Sequence, residues 1–321
     1  MNRVLVLTLC IACHSTPRSA AQPRSAPRAA LPAAPPALAP ISPDLPTVSS
    51  DSPAFARAPH CDANECRLAV PAVAPTVAGP AAAASTSHPL AATFYRIARG
   101  ATLIVPLSVV REAVGVVLAG EATISAGSES SLALPWTAFR ATGGLVAIST
   151  ARSAWSLVAV IVVEGSADPS PHAATEITTR ALAEVPDLAW AGGGFHARIA
   201  FDGTLSRRAS LEILMGSANG PVARHQHPGA WEVLMAVSAD GSLERYGEPA
   251  TDGGAPSGPP SVVEPVRDGD VMYVPASAFH AWHPAGTRPL VAIQSYTPPG
   301  AEQRFRTLAS SPSPSPNPNP R

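Results

Sequence analysis

The sequence predicts an all-β protein with two lobes between low-complexity ends. Apolar runs rich in Val and Ile recur at 102–106, 113–119, 157–163, 271–275 and 289–293, each of strand length and bounded by Gly, Pro or Ser. Helix signals are few; the best is 175–184, ended by Pro186. A repeat is also visible. The hexad Pro135-Trp-Thr-Ala-Phe-Arg140 parallels Pro275-Ala-Ser-Ala-Phe-His280, and 114–122 (VGVVLAGEA) lies on 233–241 (VLMAVSADG) without gaps. With 321 residues, 46% hydrophobic and 14% charged, the chain can bury a sizeable core. Many short strands point to a β-sandwich or barrel.

Residues 1–13 (MNRVLVLTLCIAC) carry Arg3 and then a nine-residue apolar run, long enough for a signal h-region and too short to span a bilayer. The run stops at Cys13 and resembles a bacterial lipoprotein signal, in which the Cys is lipidated; Cys10 stands where Leu is usual. The reading is an exported protein of the cell envelope, lipid-anchored at the outer membrane or free in the periplasm. The alternative is a plain secretory signal with an incidental Cys. Residues 14–87 form a Pro/Ala-rich linker; 17–60 alone hold eleven Pro and read as a disordered tether. Within it, Cys61 and Cys66 suit a local disulfide in an oxidising compartment, because a lone C-x4-C is a weak metal motif.

The first lobe is assigned to 88–165, a linker with helical character to 166–186, the second lobe to 187–308 and a disordered tail to 309–321. The run 155–163 is apolar enough for a strand buried on both faces, at the interface between lobes. Composition also excludes chemistries. All 22 basic residues are Arg, so Schiff-base lysine chemistry and lysine-dependent phosphate loops are ruled out. A net charge of −1 offers no field for nucleic acid.

Four of nine His fall between 225 and 283. His225-Gln-His227 on an extended segment sends both imidazoles to one face. Glu232 follows and leads into a strand, and Gly269-Asp-Val-Met-Tyr-Val-Pro275-Ala-Ser277-Ala-Phe-His280 comes some forty residues on. Three imidazoles and a carboxylate suit one divalent transition metal: Mn, Fe, Ni, Cu or Zn. His283, three residues after His280, reads as rim or surface.

These residues resemble the two motifs of the cupin superfamily, G-x5-H-x-H-x3,4-E-x6-G and G-x5-P-x-G-x2-H-x3-N. His225, His227 and Glu232 fit the first spacing, and Gly269, Pro275 and His280 the second. Gly220 stands one residue too close to His225, Ala239 replaces the closing Gly of the first motif, Ser277 replaces the Gly of the second, and Pro284 its Asn. The resemblance implies a double-stranded β-helix, a cupin-type jelly roll, with the metal held by His225, His227, Glu232 and His280 near one mouth. It also implies a bicupin whose first lobe has lost its metal. With the repeats aligned, Pro106, Ser108, Ala113 and Arg140 stand at the ligand positions, and Glu112 is one residue off and therefore on the other face.

Gln294 and Tyr296 alternate on a strand and either orient a ligand or face solvent. The Gly/Pro-rich stretch 247–260 is a variable loop or a lid, and 296–305 closes the domain as a strap. Glu244 and Glu264 are general-base candidates on spacing alone. Three functions stay open: a metalloenzyme with dioxygenase-like chemistry on a small oxygenated molecule; a non-catalytic small-molecule binding or sensing module with a structural metal; and a scaffold with a vestigial site. Oligomeric state is left open, and membrane contact is expected only through the lipid anchor.

Overall fold

The computed structural model describes residues 44–49, 52, 55–62, 65–69, 87–165, 175–247, 256 and 258–311; the signal-like segment with Cys13, most of the 247–260 loop and residues 312–321 lie outside the described residues. Two short strands, β1 (His60–Cys61) and β2 (Glu65–Arg67), carry the Cys61–Cys66 disulfide, with Cα atoms 5.6 Å apart. They pair in parallel with β3 (Ser87–Ala98) and β4 (Thr102–Ala119). The first lobe continues through β5 (Ala122–Ala126), β6 (Glu129–Ala133), β7 (Thr137–Ser149), β8 (Trp155–Gly165) and β9 (Glu176–Ala181). The second contains β10 (Leu188–Trp190), β11 (Phe195–Phe201), β12 (Leu211–Gly216), β13 (Val222–His225), β14 (Trp231–Ser238), β15 (Asp240–Arg245), β16 (Val262–Arg267), β17 (Val271–Val274), β18 (His280–Pro284) and β19 (Leu290–Thr297). Helix α1 (Gln303–Ser310) follows.

One pairing order recurs in both lobes. In the second, β12–β19–β14–β17 form part of one sheet and β13–β18–β15–β16 form the other. In the first, β4 and β7 each serve both halves and shift register between Leu107 and Glu112. There β3–β8 and then the later half of β4 with the early half of β7 match the first series. The early half of β4 with the later half of β7, then β5 and β6, match the second.

Alternation decides what each face buries. Leu157 to Val163 are all 0% exposed. Leu157, Ala159, Ile161 and Val163 join Val114, Val116, Phe201, Ile213, Met215, Val233 and Ile293 in a core shared by the two lobes. Val158, Val160 and Val162 point the other way, into the first barrel, with Leu103, Val105, Ala113, Phe139 and Ile148. A strand buried on both faces is what this unbroken apolar run requires. Glu112 does take the face opposite Ala113: its buried carboxyl meets Ser206 of the second lobe and Arg140, 3.4 Å away.

Three expectations are corrected. Residues 176–181 form a strand, not a helix; the β-branched Ile177, Thr178 and Thr179 pair against the free side of β7, so this part of the 166–186 linker belongs to the first sheet. Part of the expected tether is packed: Phe55 is 3% exposed within the shared core, Leu45 and Val48 lie against it, and Trp136 Nε1 donates to Pro46 O at 2.8 Å. Those apolar side chains outweigh the Pro-rich composition. Finally, the two hexads do not superpose. Val114 pairs with Arg140 and Val233 pairs with Tyr273, so Arg140 matches Tyr273 and not His280.

Candidate metal centre

The second barrel places the site through strand register. His225 ends β13 directly opposite His280, which opens β18. His227 lies two residues on, before a Pro228-Gly229 turn with Gly229 at φ 72. In β14, Val233 and Met235 face the shared core, so Glu232 and Leu234 face the barrel interior. The turn before β18 carries Ser277 at φ 61, where the cupin pattern has Gly; its N–H donates to His227 O at 3.0 Å and ties the two motifs together.

The three imidazoles bring ligand nitrogens within 4.8 Å of one another. His225 Nδ1 donates to Ala223 O at 2.9 Å and His280 Nδ1 to Ala278 O at 3.0 Å. Each bond leaves Nε2 as the ring's lone-pair atom. Both Nε2 atoms, and Glu232 Oε2, are buried without a hydrogen-bond partner. Glu232 Oε2 lies 2.9 Å from His280 Nε2 and 3.2 Å from His227 Nε2. Electron-pair atoms this close repel unless a proton or cation lies between them. The donor set of imidazole and carboxylate therefore fits a divalent transition metal.

Electrostatics agree. Burial lowers His225 to about 3, with the neighbouring His280 and Arg304 adding to the effect. Burial also lowers His227. Burial alone would raise Glu232, but His280 and His227 outweigh it and hold its carboxyl well below the usual carboxylate range. Burial thus favours the neutral form of His225 and His227, and Glu232 is held toward its carboxylate, the forms in which these groups ligate a metal.

Gln294 and Tyr296 both face inward, buried at 1% and 0% exposure. Gln294 Nε2 donates to Glu232 Oε1, which turns Oε2 toward the histidines. The Tyr296 ring lies 4.7 Å from that of His227, and its hydroxyl accepts from Arg304 Nη2 at 2.7 Å. Phe279 is buried and Trp282 lines the cavity, whereas His283 is exposed and meets Glu244 at 3.1 Å. Glu264 pairs with Arg245 at 2.9 Å, so neither carboxylate singled out by spacing joins the cluster.

Two residues escaped the sequence reading. Arg304 comes from α1, in the segment read only as a strap. Its Nη1 lies 3.1 Å from His227 Nε2, and it lines both the inner cavity and a cleft outside it. Glu212 sits in β12 among Leu211, Ile213 and Met215, which face the shared core, so its carboxyl points into the barrel at 0% exposure. A charged residue inside the run LEILM was the available signal. The inner cavity measures about 40 Å³, room for about three waters, and its wall beyond the polar groups is apolar: Leu214, Leu234, Leu243, Val266, Met272 and Trp282.

No protein-family profile matches the sequence, and no curated protein matches it. Solved structures do. An oxalate decarboxylase studied for its substrate binding mode and a reaction-specificity switch is 16% identical, with a TM-score of 0.51 over 68% of this chain and 70% of that one. A Trp-to-Tyr variant of the Bacillus subtilis oxalate decarboxylase is 16% identical, with a TM-score of 0.49 over 64% and 68%. The same enzyme in a study of its Mn(II) centres gives 16%, 0.49, 65% and 69%. At this identity the likeness is one of architecture. Strand pairing, motif spacing and structural likeness together give this chain a cupin fold, an all-β jelly roll.

Proposed function

We propose that the chain is a bicupin with one working site: His225, His227, Glu232 and His280 hold one divalent transition metal, and the site acts on a small carboxylic acid or similar oxygenated molecule. The observation that carries this reading is the buried contact between His280 Nε2 and Glu232 Oε2 at 2.9 Å, with both imidazole Nδ1 protons already committed to carbonyls. When bound, the metal supplies Lewis acidity and, if Mn, Fe or Cu, one-electron chemistry.

The chain's own residues supply the rest. Arg304 brings a guanidinium to the cavity, and carboxylates are its natural partner. Tyr296 holds that guanidinium in place. Gln294 orients Glu232. The apolar wall excludes water and strengthens each polar contact. The small volume favours substrates of a few heavy atoms, and oxalate decarboxylases of this fold suit that size class. The first lobe serves as a support. Export and lipidation at Cys13 complete the proposal on sequence grounds.

A second reading has its own observation. Arg304 stands between the inner cavity and the outer cleft, and a site closed this way suits a binding module with a structural metal. One experiment tests both. Metal content is measured on the full chain and on the His225→Ala/His227→Ala variant, followed by dioxygen uptake and decarboxylation assays with two- to four-carbon acids. About one equivalent of Mn, Fe or Cu, lost in the variant, with turnover supports the enzyme. One equivalent without turnover and without exchangeable water on the metal favours the binding module. No metal in either protein after reconstitution sinks both.

A further inference from the structure

The second barrel buries one carboxyl that the proposed chemistry does not use. Glu212 is 0% exposed; among the described residues neither of its oxygens takes part in a well-formed hydrogen bond, and the Ser210 hydroxyl and the Arg304 guanidinium are the favourable polar groups that act on it. Its direct cross-strand neighbour is Gln294. Opposite residues in an antiparallel pair stand with Cβ atoms about 5 Å apart, within easy reach for two side chains of this length. Gln294 has a matching vacancy: Nε2 donates to Glu232, and Oε1 is buried with no donor.

The amide's orientation is forced. Glu232 is an ionised carboxylate and can only accept, so Gln294 must turn its NH2 toward Glu232 and its carbonyl away. That carbonyl then needs a donor. An ionised Glu212 cannot supply one, and a buried carboxylate without adequate partners takes up a proton in preference to staying charged. Burial, with the Glu302 and Glu232 carboxyls adding to it, raises Glu212 well above the usual carboxylate range; the Ser210 hydroxyl and the Arg304 guanidinium act in the opposite direction without cancelling it. Glu302 itself is spoken for, accepting from Gly300 N–H and from Gln303 Nε2.

We propose that Glu212 is a neutral carboxylic acid at pH 7 that donates to Gln294 Oε1, and that this bond locks Gln294, and through it Glu232 Oε2, in the orientation that faces the three imidazoles. Glu212 is thus a positioning residue acting two side chains away from the ligand atoms, not a ligand. The inference rests on the metal site proposed above, and its protonation arm does not need the metal.

Two measurements on the full chain test it. Infrared difference spectra of the metal-free protein against Glu212→Gln at pH 7 should show a carboxylic-acid C=O band belonging to Glu212; a carboxylate band in its place overturns the inference. Mn(II) affinity and the Mn(II) resonance spectrum are then compared across the parent, Glu212→Gln and Glu212→Leu. An amide can replace a neutral acid as donor, so Glu212→Gln should keep the parent spectrum and stay within about threefold in affinity. Glu212→Leu should bind about tenfold or more weakly, the usual loss when a ligand's support is removed, with a broadened spectrum. Equal binding by Glu212→Leu, or equal loss in both variants, overturns the proposal. If Glu212→Leu does not fold, the infrared band and the Glu212→Gln affinity still decide. A parent that binds no Mn(II), yet shows the acid band, would fail the metal reading while leaving the protonated Glu212 standing.

Discussion

The two lobes share one order of strand pairing and differ in what fills the barrel. Where the second lobe sets His225 against His280, the corresponding strands of the first meet in apolar pairs such as Val105–Val146 and Leu103–Ile148. Where the second has Glu232, the first has Ala113. Phe139 then occupies the space: a Cβ added at Gly115 would come within 2.5 Å of its ring. The first barrel is filled with buried apolar side chains; the second keeps a small cavity whose largely apolar wall carries the polar groups of the site. On the proposed reading, about four inward positions decide whether the same scaffold is a packed support or a metal site. The difference lies in side chains and not in topology.

The largest effect that could break this contrast is on the metal. His225→Ala/His227→Ala should take the protein from about one bound equivalent to near none, by elemental analysis, while far-ultraviolet dichroism stays unchanged. Persistence of the metal would place the site elsewhere. Next comes packing. Phe139→Ala should cost about 3–5 kcal/mol in urea unfolding, because it hollows a filled barrel. Met272→Ala in the second lobe should cost about 2 kcal/mol, near the low end for such truncations, since Met272 already borders a cavity. Equal costs would mean that the two interiors are equally well packed.

A third contrast is with pH. His225 is lowered to about 3, and His227 is lowered as well. Below about pH 6.5 the unfolded chain takes up protons that the folded site refuses. Their contribution is thus present above about pH 6.5 and lost as pH falls toward about 3. Glu232, held well below the usual range, adds a loss of the same sign below about pH 4.5. In the metal-free protein, the drop in unfolding midpoint from pH 7 to pH 5 should be larger for the parent than for His225→Ala/His227→Ala. An equal drop would locate the acid sensitivity outside the second barrel. Smallest is Ser277→Gly: Ser277 holds φ 61, a region that disfavours any side chain, so the change should raise stability by about 0.5–1 kcal/mol in thermal unfolding. A loss would show that the Ser277 hydroxyl, 3.4 Å from Gly229 N–H, outweighs the strain.

Much of this was legible in the sequence because it is local. Strand runs, the doubly buried 157–163 and the spacing of His225, His227, Glu232 and His280 all follow from side-chain period along a strand. Arg304 was not legible, because its place depends on where α1 docks against Trp190, with the Phe305 ring 5.4 Å away. Glu212 lay outside both motifs, and its importance comes from its cross-strand neighbour, a partner 82 residues away in sequence (294 − 212). The hexads misled for a related reason. Two similar turns occur one strand apart in the two lobes, and only hydrogen-bond register separates them.

The shared core has a consequence for synthesis. The face of β8 and β4 that holds Val114, Val116, Leu118, Leu157 and Ile161 is covered by strands that leave the ribosome later, the last being β19. At usual elongation rates that interval is about ten seconds, during which a large apolar sheet face lies open. The nascent first lobe is thus a natural client for a holding chaperone, and a chain truncated before β19 should be captured or degraded and not released as a free lobe.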